Sequence, residues 1–112
     1  MYDESVLIEA LGNSPKLRVL DFLIDNMRFD YSKKEIMEGA QIGKTTLFKI
    51  WNESLKLGII RPTRRFGKAQ LFTLNENNEV VKQLLRLEFV LGNRAMQKAV
   101  EKNKIALQAK RK

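Results

Sequence analysis

The chain has 112 residues, which is enough for one domain with one modest hydrophobic core. Its 44% hydrophobic and 30% charged residues are typical of a soluble globular protein, and its net charge of +8 favours an anionic partner. The absence of cysteine and histidine excludes disulfides and thiolate metal sites, and it removes the commonest general base and the commonest metal ligand.

The first predicted helix spans residues 3–11, where Asp3 and Glu4 favour a helix start. Gly12 and Asn13 end it. Its apolar stripe consists of Val6, Leu7, Ile8 and Leu11. We expect this stripe to pack either on the core of its own domain or on a partner subunit.

Ser14-Pro15 predicts the start of a second helix, because a serine side chain accepts backbone N–H groups and proline fits the first helical position. Apolar residues then recur as far as Asn26, where we expect the helix to end. The stretch 29–31 that follows is typical of a short strand at the edge of a sheet.

Ser32 and Glu35 form the capping-box pattern of a third helix, which we expect over residues 33–38. Gly39, or the stretch from Gly39 to Gly43, then supplies a tight turn before a longer helix. A short helix, a turn with glycine and a longer helix together predict a helix-turn-helix.

The longer helix has an apolar and a polar face. The apolar face comprises Leu47, Ile50, Trp51, Ser54 and Leu55. The polar face comprises Lys44, Thr45, Lys49, Asn52 and Lys56. Gly58 stands where a helix commonly ends in a left-handed residue.

Beyond this helix the sequence predicts two strands joined by a basic turn. The first strand covers residues 59–64, the chain reverses at Phe66-Gly67, and the return strand covers residues 69–74. Pro62 has no backbone N–H, so its strand must lie at the edge of the sheet, which we expect to have three strands. The basic residues around the turn are Arg64, Arg65 and Lys68.

Positive charge is concentrated in two parts of the chain. Residues 41–72 hold seven basic side chains and one acidic one, and residues 93–112 hold the same numbers. Residues 1–30 hold three basic and six acidic side chains. Such asymmetry favours a nucleic-acid partner over an anionic membrane, the alternative being a surface that only keeps the protein in solution.

The stretch from Gln41 to Leu74 resembles the recognition helix and wing of winged helix-turn-helix regulators of the MarR and ArsR type, with small archaeal members as the nearest variety. The stretch from Leu11 to Leu20 resembles the opening helix of these regulators, so the resemblance covers roughly residues 11–76. It implies a mainly α fold with a small β-wing, in which the N-terminal and long C-terminal helices form a dimer interface.

The resemblance also implies a function, that of a sequence-specific transcriptional regulator that binds double-stranded DNA. The recognition helix would lie in the major groove and the wing on the backbone or in the minor groove. The residues expected on DNA are Lys44, Thr45, Thr46, Phe48, Lys49 and Asn52 of the helix, and Arg64, Arg65 and Lys68 of the wing.

Phe48 departs from the small or polar residue that such regulators would have at this place. If its ring is exposed, it contacts a thymine methyl group or lies in an interface. If the ring is buried, the phase assigned to the helix is wrong by one residue.

Asn75 or Asn77 is expected to cap a C-terminal helix with two apolar rows. The rows are Val80, Leu84, Leu87 and Leu91, and Val81, Leu85 and Phe89. One row can pack on the domain and the other on a second copy, which predicts a homodimer. The alternative is one helix buried wholly in its own fold.

Gly92-Asn93 interrupts this apolar pattern and suggests a boundary. We expect a single winged-helix domain over residues 1–92, with its core in 11–76 and its C-terminal helix in 77–92. Residues 93–112 form a basic extension that either continues the helix or is partly disordered.

The sequence also predicts several absences. Gly43-Lys44-Thr45 matches the end of a phosphate-binding loop, but Gly39 stands one residue too close and no buried strand precedes it. No catalytic set is recognisable, so we expect no enzymatic activity and no cofactor or metal. No apolar run approaches the roughly 20 residues of a membrane span, and the N-terminus lacks the pattern of a secretion signal, so we expect a cytoplasmic protein.

Two further functions stay open from the sequence. The first is DNA binding of low specificity, in chromosome architecture or plasmid partition, which the basic C-terminal residues favour. The second is a protein-interaction module in which Phe48 and Phe66 are exposed anchors. The sequence identifies no small-molecule effector.

Overall fold

Five helices and one β-hairpin make up the protein in a computed structural model that describes residues 5–110, with side chains as far as residue 108. The elements are α1 (Val6–Leu11), α2 (Pro15–Asp25), α3 (Lys33–Ala40), α4 (Lys44–Lys56), β1 (Ile60–Phe66), β2 (Ala69–Leu74) and α5 (Glu79–Lys110). The architecture is mainly α with a small β-wing, as predicted.

Three serines start the first three helices. The hydroxyl of Ser5 accepts the backbone N–H of Ile8, and that of Ser14 accepts the N–H of Leu17. Ser32 forms the predicted capping box with its partner three residues on. The predicted contribution of Asp3 and Glu4 to the start of α1 lies outside the described residues.

The turn of the helix-turn-helix lies within the stretch from Gly39 to Gly43, the second of the two predicted alternatives, but it does not begin at Gly39 itself. Gly39 lies inside α3, and the backbone turns at Gln41, which adopts a left-handed conformation with φ of 55°. A Cβ atom on Gly39 would collide with the ring of Phe22 on α2. The glycine is therefore needed for the close approach of two helices rather than for the turn.

The core is a continuous cluster in which α4 meets the wing through two aromatic rings. Trp51 of α4 meets Phe72 of β2 edge-on, with ring centroids 4.8 Å apart and planes at 86°. Buried Ser54 satisfies its hydroxyl by donating to the carbonyl of Ile50, 2.9 Å away. Leu55, predicted for the same buried face, lies at its margin and is 37% exposed.

The wing has two antiparallel strands and a single bridge where a third strand was expected. Tyr31 exchanges two backbone hydrogen bonds of 2.8 Å with Phe72, and the rest of 29–31 forms no strand. The bridge places β2 in the middle and leaves β1 at the edge. Because Pro62 lies on this edge strand, the backbone N–H that it lacks is not needed by a neighbouring strand.

A bulge in β1 decides which side of the wing its cations face. Pro62 is paired with Phe72 and Arg65 with Gln70, so three residues of β1 span the length of two residues of β2. In a regular strand Pro62 and Arg65 would face opposite sides, whereas the bulge turns both to the same side. The amide of Gln70 donates to the carbonyl of Arg64 at the bulge, 3.1 Å away.

Asp30 fastens the outer strand of the wing to the connection between α2 and α3. Its carboxylate accepts hydrogen bonds from the hydroxyl of Thr63 and from Arg64, whose Nε and Nη2 lie 3.1 and 3.3 Å from the two carboxylate oxygens. The hydrogen bond from Arg64 is the main reason that the pKa of Asp30 falls below its ordinary 3.8, and the bond from Thr63 adds to it.

The cap of α5 is Asn78, not Asn75 or Asn77 as predicted. Its side-chain oxygen accepts the N–H groups of Val80 and Val81 at 2.9 and 3.3 Å. Its amide also donates to the carbonyl of Leu57 at the end of α4, a long-range contact that a sequence pattern does not reveal. Asn75 instead donates to the carbonyl of Gly58, so both asparagines tie the start of α5 to the end of α4.

Of the two alternatives stated for the basic extension, continuation of the helix holds for the described residues, because α5 runs through Gly92-Asn93 to Lys110. One glycine costs a helix only about 1 kcal/mol relative to alanine, which 32 residues of helix easily tolerate. The helix is about 48 Å long, and its second half extends from the domain to give overall dimensions of 66 × 29 × 23 Å. None of the helices within residues 5–110 has the length and hydropathy of a membrane span.

Replacing Gly39 with alanine tests the contact between α2 and α3. We expect Gly39→Ala to lower the free energy of unfolding by about 1–3 kcal/mol, because the new methyl group forces the Phe22 ring out of its place. Gly92→Ala is the matched control, since its Cβ would meet nothing within 4 Å. It should raise stability by about 0.5–1 kcal/mol. Urea denaturation measures both, and equal effects of the two changes would contradict the packing described here.

Replacing Asp30 with asparagine tests the contacts by which its carboxylate holds Thr63 and Arg64 of β1. Because folding lowers the pKa of Asp30, its stabilising effect is present above its ordinary pKa of 3.8 and is lost as the pH falls through its lower folded value. We expect Asp30→Asn to be less stable than wild type near about pH 7, and we expect the difference to shrink as the pH falls below the ordinary pKa of 3.8. Urea midpoints across this range measure the difference between the two proteins.

Asp25→Asn is the control for that experiment. Burial raises the pKa of Asp25, with repulsion from Asp21 adding to it, so its charge is unfavourable at neutral pH. The Asp25 variant should therefore lose no stability near about pH 7. If Asp25→Asn loses as much stability as Asp30→Asn, the effect does not come from the contacts between Asp30 and β1.

Candidate nucleic-acid interface

The outward face of α4 carries most of the helix residues predicted to bind DNA. Lys44, Phe48 and Asn52 follow one another at intervals of four residues, and all three are exposed. Thr45 and Lys49 form an exposed row beside them. Phe48 is 73% exposed, so its ring is not buried and the helix phase is not shifted.

Thr46 lies apart from these rows. It is half-buried, and at about 100° per residue its side chain points roughly 160° away from that of Phe48. The structure therefore does not bring Thr46 together with the other predicted helix residues.

A small cleft of about 190 Å³ separates α3 from α4. It is lined by Lys33, Met37, Lys44, Leu47, Phe48, Trp51 and Asn52. The ammonium group of Lys33 lies 5.2 Å from the centre of the Trp51 ring, within cation–π distance. The floor of this cleft is thus apolar, and its margin carries two cations and an amide.

A second and larger cleft, of about 450 Å³, lies between the start of α3 and the wing. Its lining residues are Ser32, Lys33, Lys34, Arg65, Lys68, Ala69, Gln70 and Phe72. The bulge in β1 explains why Arg65 belongs to this cleft, because it turns that residue to the side of Phe72. Four cationic side chains thus surround one opening.

Arg64, although predicted with Arg65, has a different environment. Its guanidinium is engaged by Asp30, and this pairing raises the pKa of Arg64 further above its usual value. Arg64 is absent from the cleft that holds Arg65, yet 68% of its side chain stays exposed. It therefore anchors the wing and still presents charge to solvent.

Lys33 and Lys34 were missed by the sequence prediction. Both directly follow the Ser32 cap and so lie in the first turn of α3, where backbone N–H groups point outward and favour an anion. Two lysines are an unfavourable choice at such a position for helix stability alone. That combination of a cap followed by lysines was the signal that could have identified them.

Comparisons with known proteins identify the fold. No family model matches this chain, and no curated protein matches its sequence. Two solved structures resemble it: Sso10a-2, a DNA-binding protein from Sulfolobus solfataricus, and a transcriptional regulator of the MarR family from Silicibacter pomeroyi. The first has a TM-score of 0.50 and 15% identity over 81% of this chain and 94% of its own.

The regulator has a TM-score of 0.56 and 19% identity over 91% of this chain and 70% of its own. Identities this low show the fold alone. Both neighbours are winged-helix proteins, which confirms the fold class predicted from the sequence. The narrower resemblance to the MarR and ArsR type has no support at the level of sequence.

Proposed function

We propose that this protein is a sequence-specific transcriptional regulator that binds double-stranded DNA, with α4 in the major groove and the wing on the adjacent backbone or minor groove. One observation carries the proposal: Lys33 lines both clefts, so the cations of α4 and those of the wing converge around the start of α3. A helix and a hairpin arranged in this way suit the surface of a duplex. One structural neighbour is a DNA-binding protein and the other a transcriptional regulator, which agrees with the proposal.

The exposed rows of α4 offer the groups that read bases. An asparagine amide can pair with adenine, and a lysine with guanine, so we assign Asn52, Lys44 and Lys49 these roles. The methyl group of Thr45 and the ring of Phe48 suit the methyl group of thymine. Because Thr46 is half-buried and points away from these rows, we assign it no contact with the bases.

The wing and the start of α3 offer the groups that hold phosphate. Arg65, Lys68, Lys33 and Lys34 surround a cleft that has no acidic lining residue. Such contacts supply affinity rather than base discrimination, and they release counterions when they form. Arg64 contributes less, because Asp30 already neutralises much of its charge.

Lys68→Ala and Asn52→Ala should weaken DNA binding in different ways. Lys68→Ala should weaken all sequences alike and reduce the slope of log affinity against log salt by about 1. Asn52→Ala should keep the slope and relax the preference at one base pair, at a cost of about 1–3 kcal/mol. Selection from random duplexes followed by a salt series measures both effects.

Lys82→Ala is the matched control for Lys68→Ala, because Lys82 is an exposed lysine on α5 that lines neither cleft. It should leave both affinity and salt slope unchanged. A uniform loss from Asn52→Ala, with no change in base preference, would contradict base reading by α4.

We also propose that the protein is a homodimer joined through the second half of α5. Its exposed apolar residues recur at intervals of seven, four and seven along the helix, which places them within about 40° of one another. These residues are Phe89, Met96, Val100 and Leu107, all more than half exposed. Together with Asn93 and Asn103 they follow the a and d positions of a heptad repeat, a seam typical of paired helices.

The seam is symmetric about residue 98. An antiparallel partner centred there would place Phe89 against Leu107, Asn93 against Asn103, and Met96 against Val100. Each asparagine would then meet the other, so no buried amide is left to face an apolar side chain. The residues of α5 that pack on each domain centre near residue 86, so the two domains would lie roughly 36 Å apart along the helix axis. That distance is close to one turn of DNA.

Cysteine substitutions can test this arrangement cleanly, because the natural chain has no cysteine. Antiparallel pairing predicts that Asn93→Cys/Asn103→Cys cross-links on oxidation, whereas Asn103→Cys alone does not, since its two copies would lie about 15 Å apart. Non-reducing electrophoresis measures the products. Cross-linking of Asn103→Cys alone would indicate a parallel pair, and a monomeric mass for wild type in light scattering would contradict the dimer.

DNA binding of low specificity is the second candidate, and one observation favours it. Arg94, Lys98 and Lys102 form an exposed basic row on the side of α5 opposite to the seam, and they line neither of the two clefts. In that case random-duplex selection would return no consensus. A protein-interaction module is the remaining candidate, and failure to bind any duplex even at about 50 mM salt would favour it.

A further inference from the structure

Phe66 is an exposed aromatic ring at the tip of the wing. It is the last residue of β1 and is 73% exposed. Its cross-strand partner is Ala69, whose methyl group is too small to cover a phenyl ring. The turn between them consists of Gly67, with φ of 62°, and Lys68, so the chain reverses in two residues and leaves the ring at the extreme end of the hairpin.

The hairpin that carries this ring is held in place at its base. Asp30 binds Thr63 and Arg64 of β1, and Tyr31 bridges to Phe72 at the centre of β2. Gln70 donates to the carbonyl groups of Arg64 and Leu71 and so fixes the bulge. The ring therefore has a defined position relative to α4, although no apolar neighbour covers it.

The neighbours of Phe66 identify the kind of surface that it meets. Arg65 precedes it and Lys68 follows it by two residues, and both cations are exposed. An apolar ring between two cations is complementary to a groove whose walls are phosphates and whose floor is stacked bases. Such a groove lies beside the major groove that α4 is proposed to occupy.

We propose that Phe66 inserts between two base pairs in the minor groove of the same duplex, unstacks that step and bends the DNA toward the major groove. This inference rests on the proposed DNA binding and adds deformation of the duplex to it. Apolar side chains inserted in this way bend DNA by roughly 20–90°. A pyrimidine–purine step would be preferred, because such steps are the most easily kinked. The wing thereby contributes sequence preference at a step that α4 does not read.

Two optical measurements on a duplex from the random-sequence selection test the insertion. The first places 2-aminopurine at successive positions beneath the wing, and binding should raise its emission at one step only. The second measures energy transfer between dyes at the two duplex ends, which should rise as the ends approach. We expect Phe66→Ala to abolish both changes at saturating protein, and Phe66→Leu to retain part of the bend, because leucine also serves as a wedge.

Phe29→Ala is the matched control, because Phe29 is 66% exposed and lies outside both basic clefts. It should leave both optical signals as in wild type. If wild type binds the duplex without either change, or if Phe66→Ala retains both, the insertion is wrong. If wild type binds no duplex, the proposed function fails first, and the measured anisotropy of the labelled duplex distinguishes that failure from the others.

Discussion

The edge-on contact between Trp51 and Phe72 is the interaction on which the arrangement of helix and wing depends. Trp51 belongs to the buried face of α4, and Phe72 lies at the centre of β2. Phe72 is bridged through its backbone to Tyr31, whose ring packs at 5.1 Å against Phe22 of α2. An aromatic pair of this kind adds about 0.5–1.5 kcal/mol to the burial of its rings. More important here, its geometry sets the angle between the exposed row of α4 and the hairpin.

The same tryptophan positions a cation of the proposed interface. Lys33 lies over the outer surface of the Trp51 ring, so the contact that joins α4 to the wing also holds a lysine at the point where the two clefts meet. Burial of one face of the ring therefore organises the core, while its other side supports a charged group. This double use explains why the proposed DNA surface can be rigid although most of its cations lie at the ends of flexible side chains.

Local signals in the sequence were sufficient for the helix starts and for the order of the elements. Ser14, Ser32 and Glu35 act within three residues of themselves, so a pattern can reveal them. Gly39 and Asn78 depend instead on Phe22 and Leu57, which are distant in sequence. For that reason the patterns did not reveal the packing role of Gly39, and they assigned the cap of α5 to the wrong residues. The winged-helix class was predictable because it needs only the order and the amphipathic faces of its elements.

The site was predictable as a set of charges but not as a set of roles. Arg64 and Arg65 are adjacent arginines with different environments. Asp30 binds Arg64, whereas the bulge in β1 turns Arg65 toward the basic cleft. Both causes are tertiary. A bulge depends on how many residues oppose it on the partner strand, and Asp30 is separated from Arg64 by 34 residues. Lys33 and Lys34 were overlooked for a related reason. Glu35 and Glu38 lie beside them in sequence, so the net charge of this segment is zero.

The long helix separates two tasks that a compact domain would have to combine. Its first half packs on the domain through Val81 and the leucines around it, whereas its second half carries the proposed seam. Because the two surfaces share one rigid helix, the register of the seam determines the distance between two winged domains, and the contacts of Trp51 determine the direction that each α4 faces. The distance between the two DNA half-sites and the base preference of α4 can therefore change independently. A shift of the seam along α5 alters the first, whereas the second depends on the contacts of α4 with α2 and the wing.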